Sequence, residues 1–326
     1  MKTLAFFNNK GGVGKTSLLY HLAHMFALRG RRIIAIDLDP QANLSGMFLP
    51  DDRIESLWSA GGASTIYSTM QPLMEGTGDL LLATPQLVAD RLALIPGDLT
   101  LSEIEDELSA QWPRCLNGEA RAFRVTVAFD RILRTVGAAQ HADIGLIDVG
   151  PNLGAINRCA LVSADFVVVP IGADLFSIRG LQNVGPKLKA WRNEWRDRLG
   201  RAPKNLGFEL PCGGMLPIGY VVSRYSSRGS RAAKAFQRWL DRAPRTYAEA
   251  ILDMPPDAAA QQMDQHRLAQ LKDYRSLMPM AQEARKPMFL LKPADGAIGG
   301  HQSAVQECYR DFEALARVIE AQIGLQ

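Results

Sequence analysis

The chain has 326 residues, of which 47% are hydrophobic and 22% carry a charge. This length and apolar content permit one large buried core, or a core with an appendage, and they exclude an intrinsically disordered chain. The formal charge is only +3, but residues 187–245 hold 14 Lys and Arg against 4 Asp and Glu, a local excess of +10 that leaves −7 for the rest. This distribution indicates either an anionic partner or an ordinary solvated basic face.

The sequence also lacks the features of secreted and membrane proteins. No run approaches 18 consecutive apolar residues, and no signal-peptide pattern follows Met1, so we expect a cytoplasmic protein without a stable membrane anchor. The cysteines lie far apart and form no CxxC pair, which favours packing roles over a metal knuckle or a disulfide framework. They are Cys115, Cys159, Cys212 and Cys308.

Apolar runs alternate with helical patterns along the chain. Residues 2–8 form a short apolar run before a glycine-rich turn, and residues 16–29 then place apolar side chains at helical spacing up to Gly30. Further apolar runs occupy residues 32–38, 144–149, 166–170 and 218–222. Such runs are typical of strands buried on both faces, so the sequence predicts an α/β fold with a mainly parallel twisted sheet and helices on both sides.

Two regions depart from this alternation. Residues 51–133 show a mostly helical pattern, with one helix beginning at 99–103 after the turn at Pro96 and Gly97. Residues 243–280 contain no recognisable strand, and no Gly/Ser linker separates them from the rest. We therefore expect a single domain over residues 1–326, with a helical insertion at 243–280.

A glycine-rich loop joins the first predicted strand to the first predicted helix. Such a loop can bind phosphates because its backbone N–H groups point inward and the helix N-terminus adds a positive partial charge. Glycines permit the backbone conformations that this wrap requires. The residues predicted to contact the nucleotide are Lys10, Gly11, Gly12, Val13, Gly14, Lys15, Thr16 and Ser17.

Each side chain of this loop has an expected role. Lys15 would bridge the β- and γ-phosphates of ATP, Thr16 would place its hydroxyl on Mg²⁺, and Ser17 could reach the α-phosphate. The common G-x-x-x-x-G-K-[ST] pattern fails at its first position, where this chain has Asn9, and Lys10 stands directly before the glycines. The alternative is a glycine turn that merely caps a helix.

Carboxylates follow two of the predicted strands. Asp37 and Asp39 come at the end of one, and Asp148 ends another. Mg²⁺ usually keeps several waters, so carboxylates hold it largely through water, and a further carboxylate can position the attacking water. We predict that Asp148 and Asp37 lie near the metal and that Asp39 positions the water; the alternative for Asp37 or Asp39 alone is a strand-end turn residue.

These segments resemble the ParA/MinD family of ATPases. The loop KGGVGKT from Lys10 is similar to the deviant Walker A motif of that family, and DLDPQAN from Asp37 resembles the ParA form of the next strand end. DVGPNLG from Asp148 is similar to the family's Walker B and switch segment. Shorter similarities occur at residues 94–97, 167–170, 176–180 and 286–287. The resemblance covers most of residues 1–235 and the last 45, and leaves 201–215 and 243–280 unmatched.

The resemblance implies a P-loop NTPase of the SIMIBI type that forms a dimer around two ATP molecules. Lys10 of each subunit would then reach the partner's phosphates, so that Lys10, Lys15 and Asp39 form the catalytic set. A cation supplied in trans stabilises charge that develops on the transferring phosphoryl group and couples turnover to dimerisation. The resemblance also implies slow, partner-stimulated hydrolysis and a ParB-like or other adaptor protein.

Members of the family differ in what they attach to the ATP switch. An iron–sulfur role is disfavoured, because Cys159 has no second cysteine in a matching loop. A membrane-binding C-terminal helix is disfavoured as well, because residues 312–326 contain only one basic residue, Arg317, and suit a closing helix of the fold. No helix-turn-helix precedes the loop in this sequence, so we do not expect self-regulation of transcription.

A basic stripe favours the DNA-binding, ParA-like role. Its members recur at helical spacing and are Arg224, Arg228, Arg231, Lys234 and Arg238. Such a stripe would contact phosphates without reading bases, giving non-specific and salt-dependent affinity. A second group of basic residues comprises Lys187, Lys189, Arg192, Arg196, Arg198, Arg201 and Lys204. The alternative function is a nucleotide-gated interaction protein that recruits a membrane, secretion or defence complex and barely touches DNA.

Overall fold

The computed structural model describes residues 1–225, 230–261 and 264–325, with the backbone alone at 224–225, 230–235 and 260–261. Its eight strands form one sheet in the order β3-β4-β2-β5-β1-β6-β7-β8. The strands are β1 (Lys2–Phe6), β2 (Ile33–Asp37), β3 (Gln86–Ala89), β4 (Leu92–Ile95), β5 (Ile144–Asp148), β6 (Phe166–Ile171), β7 (Leu216–Tyr225) and β8 (Arg267–Lys272). Every neighbouring pair is parallel except the edge pair of β3 and β4.

Helices cover both faces of this sheet, as the sequence predicts. On one face pack α1 (Lys15–Leu28), α2 (Asn43–Phe48), α3 (Asp51–Ser59), α12 (Leu277–Ala284) and α13 (Gly300–Gln322). On the other pack α4 (Ile66–Glu75), α5 (Glu105–Arg114), α6 (Ala120–Thr126), α7 (Ala128–Ala139), α8 (Ala155–Val162), α9 (Leu175–Leu199) and α10 (Ser230–Ala250). Helix α11 (Pro256–Gln261) follows α10, and short 3-10 helices include Leu99–Ile104 and Met288–Leu290.

Strand β1 shows why the central strands are apolar throughout. Leu4 and Phe6 are buried in the core on the α1 side, whereas Ala5 and the following Phe7 are buried in the core on the α9 side. Because successive side chains point to opposite faces, a strand between two helical layers has no polar face. The predicted α/β class and doubly covered sheet are confirmed.

The structure adds to one of the predicted segments and corrects another. Residues 51–133 are mostly helical, as predicted, and also contain the short strands β3 and β4. Residues 243–280 do contain a strand, β8, which pairs in parallel with β7, so this segment is not purely helical. The edge strands β3 and β8 are only partly buried, and β4, which lies between β3 and β2, has only four residues, so none of them leaves a long apolar run in the sequence.

The C-terminal helix closes the fold, as predicted. In α13, Phe312, Leu315 and Ile319 are buried in the core on the α1 side, and Ile323 follows them. No helix in the described part of the chain is both long and apolar enough to span a bilayer.

Candidate functional site

The glycine-rich loop lies between the end of β1 and the beginning of α1. Gly12 has φ 73° and Gly14 has φ 85°, both in the left-handed region that favours glycine. Helix α1 begins at Lys15, and within the described residues no side chain caps it at Gly14. The N-terminus of α1 therefore presents backbone N–H groups to a ligand, as an anion site requires.

Helix α9 and the end of β6 hold this loop in place. Asn8 Nδ2 donates to the carbonyl oxygen of Pro170 over 2.7 Å, and Asn8 Oδ1 accepts the backbone N–H of Lys10 over 3.0 Å. A Cβ on Gly180 would lie 2.9 Å from Asn8 Oδ1 and 3.2 Å from Asn9 Oδ1. Gly180, within the similarity at 176–180, is thus the residue that lets α9 approach the loop closely.

Lys15 is largely buried and lies over the loop. Its Nζ donates to the carbonyl oxygen of Lys10 over 3.3 Å. Burial lowers the pKa of Lys15, while the nearby carboxylates of Asp148 and Asp39 oppose this shift. The ammonium group therefore lies between the loop carbonyls and the strand-end carboxylates, where a phosphate would compete for it.

Lys10 is paired within its own chain. Its Nζ lies 2.7 Å from each carboxylate oxygen of Asp174 and 3.4 Å from Ser177 Oγ, and 5.8 Å from the ring centre of Phe176. Asp174 caps α9 by accepting the N–H of Ser177 over 3.0 Å. Burial alone would raise the pKa of Asp174, but the hydrogen bonds from Lys10 and Ser177 lower it. The side chains of Lys10 and Asp174 are 29% and 40% exposed, so this pair can separate at small cost.

The ends of β2 and β5 bring Asp37 and Asp148 side by side, in register. Asp148 is fully buried, and neither of its oxygens makes a hydrogen bond of good geometry to the described residues. Burial and the charge of Asp37 raise the pKa of Asp148 well above its usual range, although Thr16 and Lys15 oppose the rise. A buried carboxylate that makes no hydrogen bond of good geometry is costly and fits a site for a cation.

Asp37 has partners that the sequence did not reveal. Its Oδ2 accepts both the backbone N–H of Ser45 over 2.8 Å and the Ser45 hydroxyl over 2.7 Å. Its Oδ1 accepts the N–H of Asp39 over 3.3 Å. Burial raises the pKa of Asp37 to about 6 despite these bonds. In this structure Asp37 fastens the first turn of α2, and its role near a metal stays a prediction.

Asp39 lies beside the segment that follows β5. Its Oδ1 accepts the backbone N–H of Gln41 over 3.0 Å, and a Cβ on Gly150 would lie 3.3 Å from the same oxygen. Asp39 is also close enough to Lys15 and Asp148 for its charge to act on both. The structure thus brings together the loop and the three predicted carboxylates.

A cavity of about 210 Å³ adjoins the loop. It is lined by Gly14 and Ser17 of the loop and by Ser223, Tyr274 and Met278 from the opposite side. Ser223 and Met278 are therefore placed to contact a nucleotide base that extends from the loop into this cavity. Tyr274 was not foreseen, because it comes from the turn after the unpredicted strand β8.

Most of the basic stripe lies outside the side chains that the structure describes. Arg228 is outside the described residues, and only the backbone is described for Arg224, Arg231 and Lys234. Arg238 is described and is exposed on α10. The stripe therefore stays a prediction.

Two members of the second basic group are structural. Arg198 is 6% exposed, its Nε donates to the carbonyl oxygen of Trp112 over 2.8 Å, and its guanidinium lies 4.2 Å from the centre of that ring. Arg192 donates to the carbonyl oxygens of Gly214 and Met215. Buried Arg198 is not available to an anionic partner, and half-buried Arg192 is partly engaged by these carbonyls, so the sequence overstated the size of the second basic group.

The fold and the loop together define a class of protein. A mainly parallel sheet with a glycine-rich phosphate loop before its first helix, a lysine at the start of that helix and strand-end carboxylates beside it defines a P-loop NTPase. A family model described as an AAA domain matches residues 1–200. The chain belongs to this family, as a ParA-type P-loop ATPase, and the resemblance drawn from the motifs is confirmed.

Several curated relatives share this part of the chain. The chromosome partitioning protein ParA of Caulobacter vibrioides is 30% identical over 200 residues, which are 61% of this chain and 66% of that protein. Protein IncC of Escherichia coli is 35% identical over 184 residues, 56% of this chain and 44% of the relative. A putative replication protein A of Rhizobium rhizogenes is 30% identical over 58% of this chain and 48% of its own length. The chain thus spans about half to two thirds of these relatives.

Solved structures match nearly the whole fold. Protein DIP2308 of Corynebacterium diphtheriae aligns with a TM-score of 0.72 at 24% identity, covering 99% of this chain and 98% of that one. An ATP complex of a McdA variant from Cyanothece aligns with a TM-score of 0.59 at 16% identity, covering 100% and 97%. The fold shared with these two structures therefore continues beyond residue 200 and includes residues 243–280.

Proposed function

We propose that the protein is a Mg²⁺-dependent ATPase of the ParA type that dimerises around ATP. The observation that carries this proposal is the fully buried carboxylate of Asp148 at the phosphate loop, where the Thr16 hydroxyl and the charge of Lys15 are its nearest favourable groups and neither oxygen makes a hydrogen bond of good geometry within the described residues. No cluster of three or more His, Cys, Asp or Glu suited to a metal occurs among the described residues. A site with only one or two protein ligands is typical for Mg²⁺, because the ion keeps several waters and takes phosphate oxygens as its other ligands.

Each residue of the site has a separate role in binding the nucleotide or in its hydrolysis. The backbone of Gly11 to Gly14 wraps the phosphates, Lys15 contacts the β- and γ-phosphates, and Ser17 reaches the α-phosphate. Thr16 and Asp148 would hold Mg²⁺, which would neutralise charge on the phosphate oxygens when bound. Asp39, beside Gly150, positions the attacking water, and Asp37 supports the site through α2. Solved structures with the same fold support this ligand: the McdA variant is an ATP complex, and a plasmid partition protein of Borrelia burgdorferi is bound to AMPPNP.

The ion pair between Lys10 and Asp174 indicates how Lys10 could reach a second subunit. Lys10 and Asp174 are both partly exposed, and the neighbouring side chains of Leu175 and Phe176 are 43% and 71% exposed. Lys10 would leave Asp174 to reach the partner's phosphates, while the exposed start of α9 packs against the second subunit. Exchanging a carboxylate for a phosphate keeps the ammonium group paired throughout.

Mutation of Lys10 tests this proposal. We expect Lys10→Ala to abolish ATP-dependent dimerisation and to lower ATPase turnover about 100-fold or more, since a cation on the transferring phosphoryl group is lost. Sedimentation velocity with ATP and Mg²⁺, beside a phosphate-release assay, measures both. If Lys10→Ala dimerises and hydrolyses ATP like the wild type, the trans role is wrong.

A matched variant separates the two partners of Lys10. Asp174→Asn removes the charge but keeps an oxygen that can cap α9. We expect it to dimerise at about 2- to 5-fold lower protein concentration than the wild type, because Asp174 no longer competes with the partner's phosphates for the Lys10 ammonium group. Weaker dimerisation of Asp174→Asn would contradict the exchange of partners.

We further propose that the ATP-bound dimer binds DNA non-specifically and positions plasmid, chromosomal or mobile-element DNA, with a ParB-like or other adaptor as stimulating partner. The support is the basic stripe and the names of the relatives, which include a chromosome partitioning protein. On this proposal the protein associates with the nucleoid. The whole chain would act as one domain.

A second candidate is a nucleotide-gated interaction protein without significant DNA binding. Two features beside the ATP site favour this candidate by offering a surface there. One is β8, whose one strand neighbour among the described residues is β7, and the other is the following turn at Tyr274. Gel-shift assays of the wild type and Asp39→Ala with ATP discriminate the two. Salt-sensitive binding to random DNA supports partition, and the absence of binding supports the second candidate.

A further inference from the structure

Glu105 connects two segments that are fifty residues apart in the chain. It is the first residue of α5, and its carboxylate accepts the backbone N–H groups of Ala155 and Ile156, the latter over 2.9 Å. These are the first two residues of α8, which has no cap from its own N-cap residue, Gly154. Glu105 therefore supplies the cap of α8 from another helix, and its negative charge suits the positive end of α8.

Helix α8 in turn holds the segment that follows Asp148. Asn157, in its first turn, donates from Nδ2 to the carbonyl oxygens of Gly150 over 2.8 Å and Asn152 over 2.7 Å. Gly150 is the residue that lies against the carboxylate of Asp39. A shift of the first turn of α8 would therefore move the backbone beside Asp39 and the end of β5.

The segment that carries Glu105 also contacts the other carboxylate strand. Gly97 N donates to Ser45 Oγ over 2.8 Å, and that hydroxyl donates to Asp37. A Cβ on Gly97 would lie 2.9 Å from Asp37 Cγ, so glycine is needed for this approach. Residues 97–105 thus touch the end of β2 at one end and the start of α8 at the other.

We propose that Glu105 is a positioning residue for ATP hydrolysis, acting through α8 on the segment 149–154. This inference rests on the proposed ATPase function. Glu105 is not in contact with the phosphate loop in the bonds described, so its loss should leave nucleotide binding nearly intact while it misplaces the backbone beside Asp39. A small displacement of a catalytic segment is costly for turnover even where the ligand still binds.

The variant Glu105→Gln tests the proposal, because the amide keeps the shape but offers only one acceptor oxygen and no charge. We expect kcat to fall about 10- to 100-fold with KM changed less than about 2-fold. The matched control is Asp106→Asn, which removes the same charge from the same first turn of α5 at an exposed position. Equal kcat values for Glu105→Gln and the wild type, or an equal loss in Asp106→Asn, would overturn the proposal.

Hydrogen exchange gives a readout that does not need turnover. In Glu105→Gln we expect amides of residues 149–158 to exchange about tenfold faster or more, because a charged hydrogen-bond acceptor is lost, while those of residues 8–17 keep the wild-type rate. Unchanged exchange at 149–158, or an equal increase over the whole chain, overturns the inference. If Glu105→Gln shows the expected exchange but the wild type never hydrolyses ATP, the proposed ATPase function is wrong, and the role of Glu105 in positioning for hydrolysis is wrong with it.

Discussion

The site residues gather at one edge of the sheet, and several of them are held there by partners from distant parts of the chain. The sequence correctly predicts that the loop, Lys15 and three carboxylates gather at one edge of the sheet, because parallel strands end there together. It does not reveal that Asp37 binds Ser45, that Lys10 binds Asp174, or that Glu105 caps α8. These partners depend on side-chain contacts between distant segments, for which a single sequence carries no spacing signal.

The buried charge of Asp148 predicts opposite effects on stability and on ligand response. Asp148→Asn removes an unpartnered buried carboxylate, so without nucleotide we expect it to stabilise the protein at pH 7.5 by about 1–3 kcal/mol. With ATP and Mg²⁺ the wild type should gain stability and the variant should not, since the metal loses its carboxylate. Thermal unfolding with and without ATP and Mg²⁺ measures both. A variant that is less stable alone and still responds to Mg²⁺ would contradict the metal assignment.

Helix α1 is fixed to the C-terminal part of the chain by one histidine. His21 Nδ1 donates to the carbonyl oxygen of Ser17 over 2.7 Å, and its Nε2 accepts the N–H of Met288 over 3.1 Å. The ring stacks on Phe312 with centres 5.1 Å apart. Both nitrogens are used by the neutral ring, and burial lowers the pKa of His21 to about 4. His21 is therefore a packing residue that links α1 to the C-terminal part of the chain.

This histidine should make stability depend on pH. A pKa lowered from 6.5 to about 4 means that the unfolded chain binds the extra proton more readily, so stability is full above pH 6.5 and is lost as the pH falls towards 4. Between pH 6.5 and 5 the loss from His21 should be about 1.5 kcal/mol. Urea unfolding of the wild type, His21→Gln and the exposed control His141→Asn measures it. We expect the free energy of unfolding to depend less steeply on pH in His21→Gln than in the other two proteins. The raised pKa of Asp37 changes stability in the opposite direction, but it does so in all three proteins.

Elements at the sheet edges were harder to foresee than the centre. The five apolar runs became β1, β2, β5, β6 and β7 with ends shifted by two or three residues at most. The strand β4 has only four residues, and β8 buries only Leu268 and Leu271 within a polar stretch. Edge strands gain part of their stability from backbone pairing to a sheet that the rest of the chain has built, and local composition does not record that gain.

At the scale of the whole molecule, the uneven charge predicts how the dimer responds to salt. Not all of the +10 excess in residues 187–245 can bind DNA, because Arg192 and Arg198 donate hydrogen bonds to backbone carbonyl oxygens of the fold. The prediction of DNA binding therefore depends mainly on the basic stripe. Each protein cation that neutralises a DNA phosphate adds about 0.9 to the slope of log affinity against log salt concentration.

The stripe can therefore be tested by counting charges. In Arg228→Ala plus Arg231→Ala, each dimer loses four stripe cations, so with ATP we expect the salt slope on random DNA to fall by about 3–4 and affinity to weaken most at low salt. The control, Arg310→Ala plus Arg317→Ala, removes the same net charge from exposed positions on α13 and should change the slope by less than about 1. Fluorescence anisotropy over a range of salt concentrations measures both slopes. Equal slopes for the two double variants would mean that DNA contacts a different face, because only a local surface, and not the net charge, distinguishes them.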